Sequence, residues 1–332
     1  YAESGEGKSS LIEAGLVPRL KANRYFPVRI SFTDEEYNNT QIDFDKVIKD
    51  RILDAVKNQQ MCVRQQPLSF ISKTDSVLND KFSNDLWWFL RHNELSLYGI
   101  SFPIVLIFDQ FEEVMNYPKS ESWTSRFFAF LEKISTDNCP QYILDEMTKC
   151  DEIPDVLVNK EFKAVFSIRT EYIGELDYWC MQRYFIPALK HNRFCLKPLT
   201  LQGADEVMKQ YDGFDEDLRN NIKKILAKSA NVNDSDTCVS ALILSVICTS
   251  LYHNKDKKIA VDSISNSIEN FYNDIIEKCN ITVEERNTIA SVLVDKDKRV
   301  RVASDCAALE KIDFNRKYKD ALLKNRLIKK SN

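Results

Sequence analysis

Hydrophobic and polar positions along this chain switch between two spacings, and the switches predict its elements. Leu11, Leu16 and Leu20 share a helical spacing within residues 11 to 23, although Pro18, which brings no N–H, is expected to end or kink that helix. Phe26-Pro27-Val28-Arg29-Ile30-Ser31-Phe32 alternates and predicts a strand. From Ile42 to about Lys57, Phe44, Val47, Ile48, Ile52 and Val56 return to helical spacing, and the polar residues from about 59 to 80 read as a long surface connection. A helix is expected across Asp85 to Leu90, followed by the apolar run Pro103-Ile104-Val105-Leu106-Ile107-Phe108, which has the texture of a strand buried on both faces. A helix from Trp123 to Ile134 leads through an irregular acidic stretch to a second buried strand, Phe162 to Ile168, and a shorter one is expected near Arg193 to Leu196. Strands alternating with helices predict a mostly parallel sheet covered on both faces.

After Pro198 the pattern becomes helix alone. Ala204, Val207, Met208 and Tyr211 fall on one face, and Leu218, Ile222, Ile225 and Leu226 on another. Val239 to Tyr252 reads as a buried helix, being too interrupted by Ser245, Thr249 and Ser250 for a membrane span. Ile264, Ile268, Phe271 and Ile275 then mark a helix, followed by a helix at 283 to 294, a short strand Arg299 to Val302 and a helix near 316 to 324, an order that fits a winged-helix unit. The expected domains are residues 1–200, 201–256 and 257–332. No internal repeat is visible.

The length of 332 residues, 44% hydrophobic and 29% charged residues and a formal charge of −4 describe a globular protein with no basic excess toward nucleic acid or an anionic membrane. Nine scattered cysteines without a Cys-x-x-Cys pair, and three histidines far apart, fit a reducing compartment and argue against zinc. A cytoplasmic location is expected.

Three of the seven glycines, Gly5, Gly7 and Gly15, fall within the first fifteen residues. Ala2-Glu3-Ser4-Gly5-Glu6-Gly7-Lys8-Ser9-Ser10 has the form of a phosphate-binding loop. Its backbone N–H groups and the following helix N-terminus can surround phosphates, Lys8 can reach the terminal ones, and Ser9 can offer its hydroxyl to magnesium. Ala2 replaces the usual first glycine, and Glu3 and Glu6 are both expected to point outward. The chain begins with tyrosine and the loop one residue later. A fragment of a longer protein is therefore expected, with the strand that normally precedes such a loop lying upstream.

Ile104-Val105-Leu106-Ile107-Phe108-Asp109-Gln110-Phe111-Glu112-Glu113 is the second motif. An acidic residue at the end of a buried strand can hold magnesium through its waters, and a later glutamate can orient an attacking water. Asp109 is assigned to the metal, Glu113 is the first candidate for the base and Glu112 the second. Carboxylates also favour a helix start for purely structural reasons. Arg169, in Ser167-Ile168-Arg169-Thr170, can sense the γ-phosphate or stabilise transition-state charge, the alternative being a salt bridge with Glu171 or Glu175.

With these residues in order, the chain resembles the STAND class of signalling ATPases, and within it the novel STAND group of bacterial defence and signalling proteins. The matching pieces are Ser4 to Leu20, Asp109 to Glu113, Ser167 to Arg169 and Lys197-Pro198-Leu199-Thr200. The resemblance implies a P-loop core of five parallel strands, its first strand truncated here, followed by a helical lid and a winged helix. It also implies Pro198 near the adenine and Arg169 as a sensor. ATP or ADP with Mg2+ are the implied cofactors. The implied activity is that of a slow regulatory ATPase that oligomerises on activation, with effector and sensor domains in the same parent chain.

Two other functions compete. One is a nucleotide-bound scaffold that does not hydrolyse. The other is a DNA reader using Lys296, Lys298, Arg299, Arg301 and the later lysines, although basic residues on a solvated face are ordinary. Asn254-Lys255-Asp256-Lys257 resembles a guanine-reading motif with its aspartate one position early, so adenine is the expected base.

Overall fold

Three parallel strands carry the candidate site: Phe26–Ile30, Ile104–Phe108 and Lys163–Phe166, in that spatial order. In the computed structural model the described residues are 1–3, 5–62, 69–72, 77–116, 118, 120–136, 138–149, 163–186, 188–229 and 238–253, with Thr282 and the short strands Val294–Asp295 and Val300–Arg301. The central strand pairs on both sides, Leu106 lying opposite Val28 and Ala164. Its continuous apolar sequence follows from that placement: Leu106 and Phe108 enter the larger core, and Val105 and Ile107 the core on the other face, beside Ile12.

The sheet extends beyond the three strands through single residues. Ala2 N–H donates to Ile168 O at 3.4 Å and Thr170 N–H to Ala2 O at 3.1 Å, a parallel bridge with Arg169. On the other side Tyr1 N donates to Phe194 O at 2.6 Å and Leu196 N–H to Tyr1 O at 2.8 Å, again in the parallel pattern. The order across the sheet is therefore 26–30, 104–108, 163–169, 1–2, 194–196. The short strand expected near 193 to 196 is present as this backbone pairing. Beside it, a cavity of about 920 Å3 is lined from both cores, by Ile12 and Val165 on one side and Leu131, Leu176 and Ile186 on the other.

The larger core is aromatic. Trp123 and Phe127, on the helix Glu121–Ser135, are fully enclosed, and Phe32 and Phe44 meet the Trp123 ring edge-on at 5.4 and 4.9 Å. The Trp123 indole N–H reaches Glu36 O at 2.8 Å, which ties this helix to the short one after the first strand.

Several expectations need correction. Pro18 does not end its helix: the run is α-helical over Lys8–Ser10, π-type over Leu11–Leu16 and α-helical again over Val17–Ala22. Val17 N–H reaches back five residues to Ile12 O, and Pro18 falls in the first turn of the resumed helix, where no N–H is required. The stretch from 59 to 80 is not merely a connection. Ser69–Ser72 pairs antiparallel with Asn93–Leu97, which pairs with Ile100–Ser101, and Val77–Lys81 is helical. The acidic stretch after residue 135 contains the helix Gln141–Lys149, which buries Ile143 and Met147.

The chain divides into two compact units, Tyr1–Leu196 and Lys197–Asn332. The second is not helix alone, because Leu199–Thr200 pairs antiparallel with Cys238–Val239. Its described core joins Ala204 and Met208 of the helix Leu201–Met208, Ile222 and Leu226 of Glu216–Ser229, and Leu244 and Ile247 of Ala241–His253. Val207 is 41% exposed and stands apart from the face assigned to it. Val294–Asp295 and Val300–Arg301 form an antiparallel pair. The rest of the expected winged helix, Asn254 to Lys257, and most of the basic cluster lie outside the described residues. Among the described residues no helix is long and apolar enough to cross a membrane, and no cluster of three His, Cys, Asp or Glu residues is placed to hold a metal by itself.

Candidate phosphate-binding site

The loop turns on its glycines. Gly5 and Gly7 have φ of 87° and 83°, a region in which a side chain is strained, and Gly7 is the residue from which the helix at Lys8 departs. Ala2 takes no positive φ; it is 2% exposed and paired in the sheet, so a small side chain suffices where glycine is usual. Ser4 lies outside the described residues, Ser9 is half-buried and Ser10 is exposed.

Lys8 folds back over the loop. Its Nζ donates to Ala2 O at 2.9 Å and Glu3 O at 2.8 Å. Burial, first of all, lowers its affinity for a proton, opposed by Glu112, Glu171 and Asp109 and reinforced by Arg169. These charged groups therefore converge around Lys8. The two loop glutamates part company: Glu3 is exposed, as expected, but Glu6 is not turned outward. Its Oε2 is enclosed without a hydrogen-bond partner, and burial, then the Glu3 charge, raises its carboxyl above the ordinary value against the pull of Lys8.

The acidic strand end is strapped to its neighbour. Ser167 N–H donates to Phe108 O at 2.8 Å and Phe111 N–H to Ser167 O at 2.7 Å, so both sides of the Asp109–Gln110 turn are held by one residue. Gln110 sits at φ 57°, and its N–H donates to Asp109 Oδ1 at 3.0 Å. The two base candidates that follow the turn differ in burial. Glu113 is half-buried and opens the helix Glu113–Asn116. Glu112 is buried, with Oε1 3.1 Å from Arg169 Nε and Oε2 enclosed without a partner. Arg169 also lies 3.6 Å from Glu171, so the ion pair weighed in the sequence is present but shared with a base candidate.

Sequence reasoning assigned no role to Ser167, although its spacing from Arg169 places both on one side of an extended strand. Ser167 is 6% exposed and its Oγ has no partner. Four buried side-chain polar atoms lack a partner among the described residues; three of them, on Glu6, Glu112 and Ser167, are here. Such atoms are costly, and their occurrence on the loop and at the acidic strand end suits a polar ligand. Carboxylates of Asp109 and Glu112, a half-buried Ser9 and the cations Lys8 and Arg169 fit a phosphate chain with a divalent ion. Pro198, assigned to the adenine, belongs to the second unit.

A parallel sheet that brings a glycine-turned loop and an acidic strand end to one point has the α/β architecture of a nucleoside-triphosphatase, compatible with the P-loop fold. Residues 1–213 match the family described as Novel STAND NTPase 1, and the chain belongs to that family. It is an NTPase module of the STAND type. No curated relative matches the chain.

Proposed function

We propose that this module binds ATP with magnesium and acts as a regulatory switch that hydrolyses ATP slowly. The convergence of Lys8, Asp109, Glu112 and Arg169 with three unpartnered buried polar atoms carries the reading. Lys8 leaves the carbonyls of Ala2 and Glu3 for the phosphates, the loop backbone from Gly5 to Ser10 surrounds them, and Ser9 and Asp109 hold the metal. Magnesium supplies charge neutralisation. Glu112, enclosed and beside Arg169, is favoured over Glu113 as the group that accepts the proton of the attacking water, and Arg169 senses the terminal phosphate. Nucleotide state would then control self-association and effector and sensor domains of the same parent protein, in a signalling or antiviral defence role, by binding one conformation better than the other.

Equilibrium titration with labelled ATP tests the site: Lys8→Ala is expected to abolish measurable binding, and unchanged affinity would sink the assignment. Turnover retained in both Glu112→Gln and Glu113→Gln rejects the base. One observation favours a non-hydrolysing scaffold, the Arg169 hold on Glu112; absence of turnover with nucleotide retained through purification would establish it.

A further inference from the structure

We infer that nucleotide binding at this loop is coupled to proton uptake by Glu6, so that acidification favours the nucleotide-bound module. The inference rests on the nucleotide reading above and gives that site a regulation that a phosphate loop does not by itself contain. Glu6 stands between Gly5 and Gly7, whose positive φ values turn the loop and fix the point from which its side chain departs. Glu6 is half-buried, and its Oε2 is enclosed without a hydrogen-bond partner. Lys8, two residues on, spends its Nζ on Ala2 O and Glu3 O instead. An enclosed carboxylate with a bare oxygen is costly, and a proton removes that cost. Burial and then the Glu3 charge already strengthen its hold on a proton, and Lys8 opposes them. The strand ends around Lys8 bring Asp109, Glu112 and Glu171 against Arg169, a further excess of negative charge.

Nucleotide pushes in the same direction twice. A phosphate chain surrounded by the loop backbone adds negative charge, which magnesium neutralises only in part. It also draws off Lys8, the cation that holds the Glu6 value down. The complex therefore carries more protons than the free chain over the window between the two values, which begins above the ordinary 4.5. Affinity then falls as pH rises through that window, by at most about tenfold per pH unit for one proton. Below the window Glu6 is neutral in both states and above it charged in both, so affinity levels off at either end. Repulsion by a permanent charge would instead lower affinity equally at every pH.

The test titrates the whole chain and its Glu6→Gln variant with Mg-ADP and with the β,γ-imido analogue of ATP, at intervals from about pH 5 to about pH 8. Comparing the two chains at each pH cancels protonation of the nucleotide and of the other carboxylates. The glutamine variant is expected to match the wild type within about twofold at the acidic end and to bind about 3- to 10-fold more tightly at the alkaline end. That factor belongs to moving one carboxyl's titration by about half to one pH unit. Calorimetry in buffers of different ionisation heat should show the wild type taking up more protons on binding than the variant. A ratio of affinities independent of pH overturns the inference, as does equal proton uptake by the two chains or tighter binding by the wild type at alkaline pH. If Glu6→Gln fails to fold, Glu6→Ser, which also lacks the carboxyl, carries the same comparisons. A wild-type chain that binds neither nucleotide at any pH refutes the proposed function itself, a result distinct from a flat ratio at Glu6.

Discussion

Replacing Arg169 with methionine isolates the energetics of the Arg169–Glu112 pair. At 3.1 Å the attraction amounts to about 5 kcal/mol at an effective dielectric of about 20, and the desolvation of both ions removes most of it. The pair therefore contributes little net stability. Arg169→Met leaves the 8%-exposed Glu112 side chain without its ion-pair partner, with Oε2 already unpartnered and only the Lys8 charge still acting on it. Stranding a buried charge costs about 3–5 kcal/mol in general. Arg169 is itself 33% exposed, so water reaches the gap, and the expected loss is about 2 kcal/mol at pH 7. Glu112→Gln with Arg169→Met should recover more than half of the loss. Urea unfolding followed by tryptophan fluorescence reads the first unit alone, because all four tryptophans, Trp87, Trp88, Trp123 and Trp179, lie within it. A loss under about 0.5 kcal/mol, or a double variant in which the single effects simply add, refutes the reasoning.

Glu6→Gln should change how stability depends on pH. The folded carboxyl lies above the ordinary 4.5, so the folded chain binds more protons than the unfolded chain just above that value, and stability falls as pH rises through the raised value. Glutamine removes that loss: the variant's advantage in urea should appear on going from about pH 4.5 to 7, and an advantage independent of pH contradicts it. Metal removal should weaken nucleotide binding strongly. Glu3, Glu6, Asp109, Glu112 and Glu171 outnumber Lys8 and Arg169 by five carboxylates to two cations, so a polyanion without a divalent ion meets net repulsion. Titration of ATP with and without a magnesium chelator reads this directly, and equal affinities would contradict it.

The parallel sheet was legible because burial on both faces writes itself into Ile104 to Phe108 as unbroken apolar sequence. The short antiparallel sheet was not. Ser69–Ser72 and Asn93–Leu97 mix serine, asparagine and glutamate with only four apolar residues, Phe70, Ile71, Leu95 and Leu97, and their pairing depends on contacts distant in sequence. The course of the helix through Pro18 was hidden for a related reason. Proline's local effect is legible, but the π-type register over Leu11–Leu16 that accommodates it arises from the helix as a whole.

At the site, the motifs identified the residue types but not their partners. Lys8, Asp109, Glu112 and Arg169 stand out by spacing, whereas the lysine's hold on Ala2 O and Glu3 O and the arginine's hold on Glu112 exist only in the fold. Those contacts give the site its ligand-free character: both cations aimed at a phosphate already have internal acceptors. On the proposed function, binding would be an exchange of partners, in which Lys8 gives up two carbonyls and Arg169 loosens from a carboxylate. The carboxylate released in this way is Glu112, the enclosed candidate for the base. On the proposed function, arrival of a terminal phosphate and release of the base would be coupled through one guanidinium, at the carboxyl ends of the sheet's inner strands.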